Sequence, residues 1–153
     1  MTSKERVLKR EYDRGRMAAQ AVQEASPTMT GTELNAADDR IPRFAEAVKH
    51  KNMLERKAGQ EEGFVCRSSA GRVVRLIQNY DSDVFTAEPE DLPAQYGFVW
   101  SDDPVKALPF VAISTSPYMK GNCCTENGNT YRSTIDNNVW TPSAYPAGWE
   151  VVA

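Results

Sequence analysis

The chain has little of several residue types on which common functional sites depend. Among its 153 residues are one histidine, His50, and three cysteines, Cys66, Cys123 and Cys124. No C-x-x-C spacing occurs and His50 is far in sequence from the cysteines, so the ligand set of a zinc site is missing. An odd cysteine count excludes a complete disulfide framework and indicates synthesis in a reducing compartment. Neighbouring Cys123 and Cys124 would form a strained ring disulfide, and we expect thiols instead, one buried and one half-exposed.

The sequence also lacks long apolar runs and an excess of positive charge. No stretch approaches the ~20 apolar residues of a membrane helix, and Met1–Arg6 is not followed by the apolar segment of a signal peptide. The net charge is −3, from 18 basic and 21 acidic residues, whereas binding to nucleic acid needs a basic surface. We therefore expect no membrane partner, no nucleic-acid partner and no signal peptide.

Sequence signals for catalysis are missing as well. Cys66 has no histidine partner within a recognisable motif, and there is no glycine-rich phosphate loop. The acidic residues of Tyr80–Pro93 fall in a proline-containing loop without the spacing of a calcium-binding loop. His50, between two lysines, is expected to be a solvated side chain. We predict a protein that is not an enzyme and that needs no cofactor or metal.

Residues 1–60 are predicted to form helices that anchor the chain or join it to other subunits. A helix over 4–25 has a modest apolar stripe and ends before Pro27, because the residue preceding proline avoids the helical region. A second helix, over 32–39, is expected to turn Leu34 and Ala37 inward, and the residues after Phe44 predict a third helix or a strand with a linker. The basic residues of the first turns indicate an anionic partner, a solvated helix face, or a helix that packs on a neighbouring subunit.

Residues 61–115 are predicted to form a small, four-stranded antiparallel unit. Alternating or β-branched runs occur at 63–67, 72–78, 96–100 and 108–114. The first two runs are joined by Ser68–Gly71, a hairpin loop in which Gly71 occupies the position that requires a positive φ. Because four short strands bury little apolar surface, we expect this unit to pack on the helices, on the last part of the chain or on a second copy.

Residues 116–153 combine aromatics, glycines and prolines at fixed offsets. From Tyr118 to Trp149 they follow the pattern Y-x-x-G-x(6)-G-x-x-Y-x(8)-W-x-P-x-x-x-P-x-x-W. Strands are predicted at 118–126, 130–134 and 149–152, and Asn127-Gly128 is a strong signal for a tight hairpin turn. The chain is therefore predicted to belong to the α+β class, with N-terminal helices followed by small antiparallel β units, of which the last is a compact three-stranded sheet.

This pattern resembles the small chitin- and cellulose-binding modules of carbohydrate-binding module families 5 and 12. The resemblance covers roughly residues 116–152 and includes the Y-x-x-G turn, the N-G hairpin with its tyrosine strand and the W-x-P-x-x-x-P-x-x-W ending. Two features depart from the family: Ser114–Pro117 stands where an aromatic is usual, and Cys123-Cys124 replace an aliphatic pair. The D-x-x-D-x-D-x-E run of the chitinases that often carry such modules is missing, so the resemblance implies binding without catalysis.

The resemblance also implies that exposed aromatic side chains hold the polysaccharide. Trp140 lies at the position of the family's sugar-contacting tryptophan, in a polar loop, and exposed aromatics dominate binding surfaces. Tyr145 is expected to flank it, and Tyr118 is a third candidate contact. Three nearby polar residues are candidates either for contacts with sugar hydroxyls or for ordinary turn hydrogen bonds, namely Asp136, Asn137 and Asn138.

The remaining aromatics of the pattern are expected to build the core of this module. Tyr131 and Trp149 lie in or beside predicted strands, and truncation of a buried aromatic typically costs ~3–5 kcal/mol. For Trp140 an alternative also stands: its ring could pack between Pro142 and Pro146 instead of facing a ligand.

The chain as a whole is similar to short accessory proteins encoded among the tail and baseplate genes of phages and prophages of Gram-positive bacteria. The segments Gly31–Leu34, Ile41-Pro42 and Trp100–Ala107 are similar to phrases that recur in that group. The resemblance implies a homo-oligomeric virion protein of the tail, baseplate or head fibre, made in the host cytoplasm, that contacts a cell-wall or capsular glycan. Two alternatives remain, a purely structural virion connector whose aromatic patch docks on another virion protein, and a detached fragment of a secreted glycan-degrading enzyme.

Overall fold

The computed structural model describes residues 2–49, 58–59, 62–81 and 83–152. Within these ranges the chain forms three α-helices, five short 3-10 segments and seven strands in two sheets, which confirms the predicted α+β class. His50 and the C-terminal part of the predicted third helix lie outside the described residues. No helix in the described ranges is both long enough and apolar enough to cross a membrane.

The first helix, α1, spans Ser3–Ala25, close to the predicted bounds. Its start is set by a capping box, in which the Thr2 hydroxyl accepts a hydrogen bond from the backbone N–H of Glu5 (3.1 Å). In return the Glu5 carboxylate accepts one from the backbone N–H of Thr2 (2.6 Å). Two of the N–H groups at this end of the helix are thereby satisfied without tertiary contacts.

The C-terminal end of α1 packs on the rest of the protein. Val22 is buried there, and the amide of Gln23 makes two hydrogen bonds with the backbone of Val65, at 2.7 and 2.9 Å. Among the described side chains of α1, Val22 at this end is the one that is fully buried. Large apolar side chains nearer the start of the helix are exposed, namely Val7, Leu8 and Met17.

Two short helices follow and supply part of the core. Helix α2 spans Gly31–Asn35 and α3 spans Phe44–Ala47. The predicted helix over 32–39 is thus shorter, and its second half is the 3-10 segment Asp38–Arg40. Leu34 and Ala37 point inward as predicted, since both are buried.

The first sheet has three antiparallel strands: β1 (Val65–Arg67), β2 (Val73–Leu76) and β3 (Tyr96–Phe98), in that order. Strand β2 is central and buried at every position, because it is covered on both faces. Gly71, in the β1–β2 connection, has φ 88°, which confirms the predicted left-handed position at no steric cost to glycine.

The second sheet has four strands in the order β4-β5-β6-β7: β4 (Leu108–Pro109), β5 (Cys123–Glu126), β6 (Asn129–Ser133) and β7 (Trp149–Val151). Strands β5, β6 and β7 are antiparallel neighbours, whereas β4 pairs with β5 in parallel. The predicted Asn127-Gly128 turn joins β5 to β6, and both residues have positive φ, 51° and 82°. Such a pair fits the right-handed twist of a two-residue hairpin.

The structure corrects two strand predictions. The strand predicted at 108–114 is only β4, and it pairs with the second sheet instead of the first, so the sheets have three and four strands in place of four and three. Pro109 has no N–H to continue a ladder. The strand predicted from Tyr118 begins at Cys123, because the chain first turns at Gly121, with φ 99°.

A column of stacked rings joins the two sheets. Trp100 stacks on Phe98 of β3, with 5.6 Å between ring centroids, and on Tyr118, at 4.2 Å and 12° between planes. Tyr118 stacks in turn on Phe110, at 5.2 Å. The Trp100 indole N–H also donates to the carbonyl of Ser116 (2.9 Å). The predicted boundary between residues 115 and 116 therefore separates segments that share one aromatic core.

Candidate functional site

Two large aromatic side chains, called the aromatic pair below, lie together on the surface after β6. Trp140 is 50% exposed and Tyr145 is 42% exposed. Their ring centroids are 5.5 Å apart and their planes meet at 57°, so the rings form the walls of a V instead of one flat platform. Half-exposure also argues against the alternative that Trp140 is enclosed between Pro142 and Pro146, of which Pro142 is buried and Pro146 exposed.

A buried amide, that of Asn138, holds the base of the loop that carries Trp140. Its Nδ2 donates to the Ser133 hydroxyl (3.0 Å) and to the Gly148 carbonyl (2.9 Å), and its Oδ1 accepts from the backbone N–H of Trp140 (3.3 Å). Its backbone pairs in both directions with that of Tyr118, at 3.0 and 2.8 Å. Asn138 has no exposed surface. The interpretation of Asn138 as a sugar contact is therefore wrong, because its buried amide makes its hydrogen bonds within the protein.

The second ring of the pair is placed by a tight turn. The backbone N–H of Tyr145 donates to the carbonyl of Thr141 (2.9 Å), and the indole N–H of Trp149 donates to the carbonyl of Trp140 (2.8 Å). The ring of Tyr145 lies against the backbone at Gly148, where an added Cβ would be 2.7 Å from Cδ1. Glycine at this position is thus what allows the Tyr145 ring to lie flat on the chain.

Replacement of Asn138 by alanine should destabilise the protein by about 2 kcal/mol, because buried partners lose their hydrogen bonds. The carbonyl of Gly148 and the hydroxyl of Ser133 would be left without this donor. Urea unfolding measures the loss. A matched control is Asn79→Ala, since Asn79 is exposed and should change stability by less than about 0.5 kcal/mol. Equal losses in the two variants would contradict a structural role for Asn138.

The other aromatics of the sequence pattern lie in the core. Tyr118 is 1% exposed and is stacked between Trp100 and Phe110, so the prediction that it contacts sugar is wrong: neither face of its ring can reach a ligand. Trp149 is buried beside it, with an edge-to-face contact at 5.5 Å between centroids. Tyr131 is half-buried and packs on the same cluster.

An open cleft of about 490 Å³ lies beside the aromatic pair. The described residues that line it are the aromatic pair together with Ile135, Asp136 and Asn137. The side chains of Asp136 and Asn137 are exposed. The cleft therefore combines aromatic faces, one aliphatic side chain, one amide and one carboxylate, which is the mixture expected of a shallow ligand site.

The neighbouring turn supports the polar edge of the cleft. Asp136 Oδ1 accepts the backbone N–H of Lys120 (3.0 Å), and the backbone N–H of Asn137 donates to the sulfur of Met119 (3.5 Å). Asn137 has φ 56°, a left-handed conformation that asparagine tolerates. Sequence reasoning missed Ile135 and Met119. The available signal was their position in the sequence, since Met119 lies within the Tyr118–Gly121 turn and Ile135 lies shortly before Trp140.

The described residues offer little to catalysis. Asp136 is the only described carboxylate lining the cleft, whereas glycoside hydrolysis uses two, ~5–9.5 Å apart. No cluster of potential metal ligands occurs among the described residues. All three cysteines are free, and burial raises the pKa of each thiol, that of Cys124 to about 12. They therefore stay protonated at neutral pH and are poor nucleophiles.

One cysteine prediction is corrected by the same observations. Cys123 and Cys124 are both thiols, as expected, but both are buried, and the prediction that one is half-exposed is wrong. The two side chains do point to opposite faces of β5. Cys123 is nevertheless covered, because its sulfur lies 3.6 Å from the carbonyl oxygens of Asp102 and Gly121.

Comparison of the chain with protein-family models, with curated proteins and with solved structures finds no match.

Proposed function

We propose that this protein is a non-catalytic glycan-binding protein and that its aromatic pair holds sugar rings. The observation that carries the proposal is the exposure of Trp140 and Tyr145, side by side at 5.5 Å. Tyr118 and Trp149, in the same part of the chain, are buried. Among the described residues these two are the exposed large aromatics, and they share one loop.

The chemistry of the pair suits a saccharide. One face of a pyranose ring carries C–H groups and stacks on an aromatic ring, while its rim carries hydroxyls that need polar partners. The cleft supplies both, since Asp136 and Asn137 lie next to the rings. The loop is held by the buried amide of Asn138, so the rings are positioned before a ligand arrives and little ordering entropy is lost on binding.

Binding at one such shallow site is expected to be weak, so the protein would act through many copies. Linking identical sites raises the effective concentration at the second site and can increase avidity 10²–10⁴-fold. We propose a homo-oligomeric phage virion protein that presents the module to a cell-wall or capsular glycan, with no nucleic-acid or membrane partner. The support is the resemblance of Gly31–Leu34 and Trp100–Ala107 to phrases of phage accessory proteins, together with the exposure of Val7, Leu8 and Met17 along α1.

A second candidate is a purely structural virion connector. The observation in its favour is α1, along which Val7, Leu8 and Met17 are exposed, since exposed apolar side chains on a helix suit a protein partner. In this function the aromatic pair would dock on another virion protein, because aromatics are enriched at protein interfaces. The two functions differ in whether the pair is accessible in the assembled particle.

The test is retention of the purified full chain by insoluble chitin, cellulose and Gram-positive cell wall. Wild type should bind at least one matrix, and Trp140→Ala should weaken that binding at least about tenfold, the loss typical of a hot-spot aromatic. Val105→Ala is the matched control, because Val105 is 86% exposed outside the cleft, and it should bind like wild type. Circular dichroism checks that each variant is folded.

Two results would overturn the proposal. Retention by none of the three matrices would remove glycan binding and leave the connector function. Retention that is unchanged in folded Trp140→Ala and Tyr145→Ala variants would show that the sugar is held elsewhere on the protein.

A further inference from the structure

The cleft beside the aromatic pair has a negative polar edge. Asp136 lines it and is exposed. One oxygen of Asp136 accepts the backbone N–H of Lys120 at 3.0 Å, and its other oxygen has no hydrogen-bond partner among the described residues. No lysine or arginine side chain is among the described residues that line the cleft. A ligand in the cleft therefore meets an uncompensated carboxylate.

A second carboxylate lies close to the same loop. Glu126 Oε1 accepts the backbone N–H of Ser143 (3.0 Å), midway between the two rings of the pair in sequence. Glu126 is half-buried and does not line the cleft. It adds negative potential to the loop while Asp136 supplies the accessible oxygen.

The aromatic rings add a second attraction for a positively charged group. An aromatic face attracts a cation that lies within about 6 Å of its centroid. Trp140 and Tyr145 both line the cleft, and with centroids 5.5 Å apart and planes inclined at 57° the rings contact each other. A cation in the cleft would therefore lie against their exposed faces, next to the Asp136 carboxylate, and not between the rings.

We propose that the cleft selects glycans that carry a protonated amine, such as unacetylated glucosamine units, over their N-acetylated or neutral counterparts. This inference rests on the proposed function, because the same aromatic pair holds the sugar ring. The amine would lie against the exposed ring faces in the cleft and donate to Asp136. Acetylation removes the positive charge, so an N-acetylated sugar keeps the stacking and loses the cation–π and ionic contributions.

A simpler role for Asp136 does not depend on its charge, and the experiment must distinguish this role from the charge-based one. Asp136 could accept a hydrogen bond from a sugar hydroxyl, which amino, N-acetyl and neutral sugars all possess. In that case its replacement would weaken all of them by the same factor. Selective loss of the amino sugar is the outcome that only the charge-based role explains.

The experiment is titration of the full chain with the glucosamine tetramer and with the N-acetylglucosamine tetramer, at a pH that keeps the amine protonated. Wild type should bind the amino sugar about tenfold more tightly at low salt, from the combined cation–π and ionic contributions. Added salt should reduce this preference, since exposed charges are screened.

The variant that isolates the charge is Asp136→Asn. Asparagine keeps an oxygen that can accept the Lys120 N–H, so the turn should be preserved while the charge is removed. Its preference for the amino sugar should fall severalfold, because the ionic contribution is lost while the cation–π contribution remains, and its binding of the N-acetylated tetramer should be unchanged. Asp91→Asn, at an exposed carboxylate outside the cleft, changes the net charge equally and should keep the preference.

The outcomes distinguish this inference from the proposed function. Equal affinity of wild type for both tetramers, with loss of both in Trp140→Ala, would overturn the amine preference and leave glycan binding intact. An equal loss of both sugars in Asp136→Asn would also overturn it, in favour of a hydroxyl contact. Binding of neither tetramer nor any glycan matrix would overturn the inference and the proposed function together.

Discussion

Replacing Tyr118 with alanine should destabilise the whole folded chain by about 3–5 kcal/mol, the usual cost of removing a buried aromatic ring. Tyr118 is 1% exposed and is the central ring of the column that links the two sheets. Its loss would leave a cavity between Trp100 and Phe110 and would remove an edge-to-face contact with Trp149. Because both sheets share the column, unfolding monitored in urea should remain a single transition at a lower midpoint.

The phenylalanine variant separates the ring from its hydroxyl. The Tyr118 hydroxyl accepts the backbone N–H of Val111 at 3.3 Å, so Tyr118→Phe should lose about 0.5–1.5 kcal/mol, the net value of one hydrogen bond. Glycan retention by the folded fraction of either variant should match wild type, because Trp140 is untouched. A Tyr118→Ala protein that is as stable as wild type but is retained more weakly by the glycan would instead identify Tyr118 as a sugar contact.

A methyl group at Gly63 should be among the most damaging small changes in this chain. A Cβ there would overlap the backbone carbonyl oxygen of Leu76 and would lie 2.8 Å from its carbon and 3.0 Å from the carbonyl oxygen of Gly59. All of these atoms are backbone, so relief requires the start of the first sheet to move. We expect Gly63→Ala to lower the free energy of unfolding by more than about 3 kcal/mol. Losses of this size arise from a few mechanisms, and overlap with backbone atoms is one of them.

The control for Gly63 is a glycine at which the same methyl group meets nothing. Gly15 lies within α1 with no atom within 4 Å of the added Cβ, so Gly15→Ala should stabilise the protein by up to about 1 kcal/mol through helix propensity. Thermal unfolding of both variants gives the comparison. A Gly63→Ala protein that unfolds at the wild-type temperature would mean that this approach of two backbone segments is not needed by the fold.

The local signals in the sequence were sufficient for much of the fold. Gly71 and Asn127-Gly128 have the positive φ that their turns required, and α1 ends at Ala25, close to the end that Pro27 indicates. These predictions succeed because each depends on a few neighbouring residues whose steric preferences do not change with tertiary context. The exposure of Trp140 and Tyr145 also has a local cause, since a short loop rich in proline and polar residues offers little apolar surface against which two rings can pack.

The sequence did not predict which segments that are distant along the chain pack on each other. Trp100 and Tyr118 are separated by a turn-rich stretch, and only their stacking at 4.2 Å shows that Tyr118 is core. Strand β4 pairs with β5 in a register that places Leu108 opposite Cys124. No local sequence pattern predicts this contact. Burial of Asn138 follows from the same cause, since its partners at 133 and 148 lie on different strands or turns. The sequence by itself determined the tight turns, the first helix and the position of the aromatic loop, whereas the tertiary structure decided which rings face inward, because burial is a property of the whole packed core.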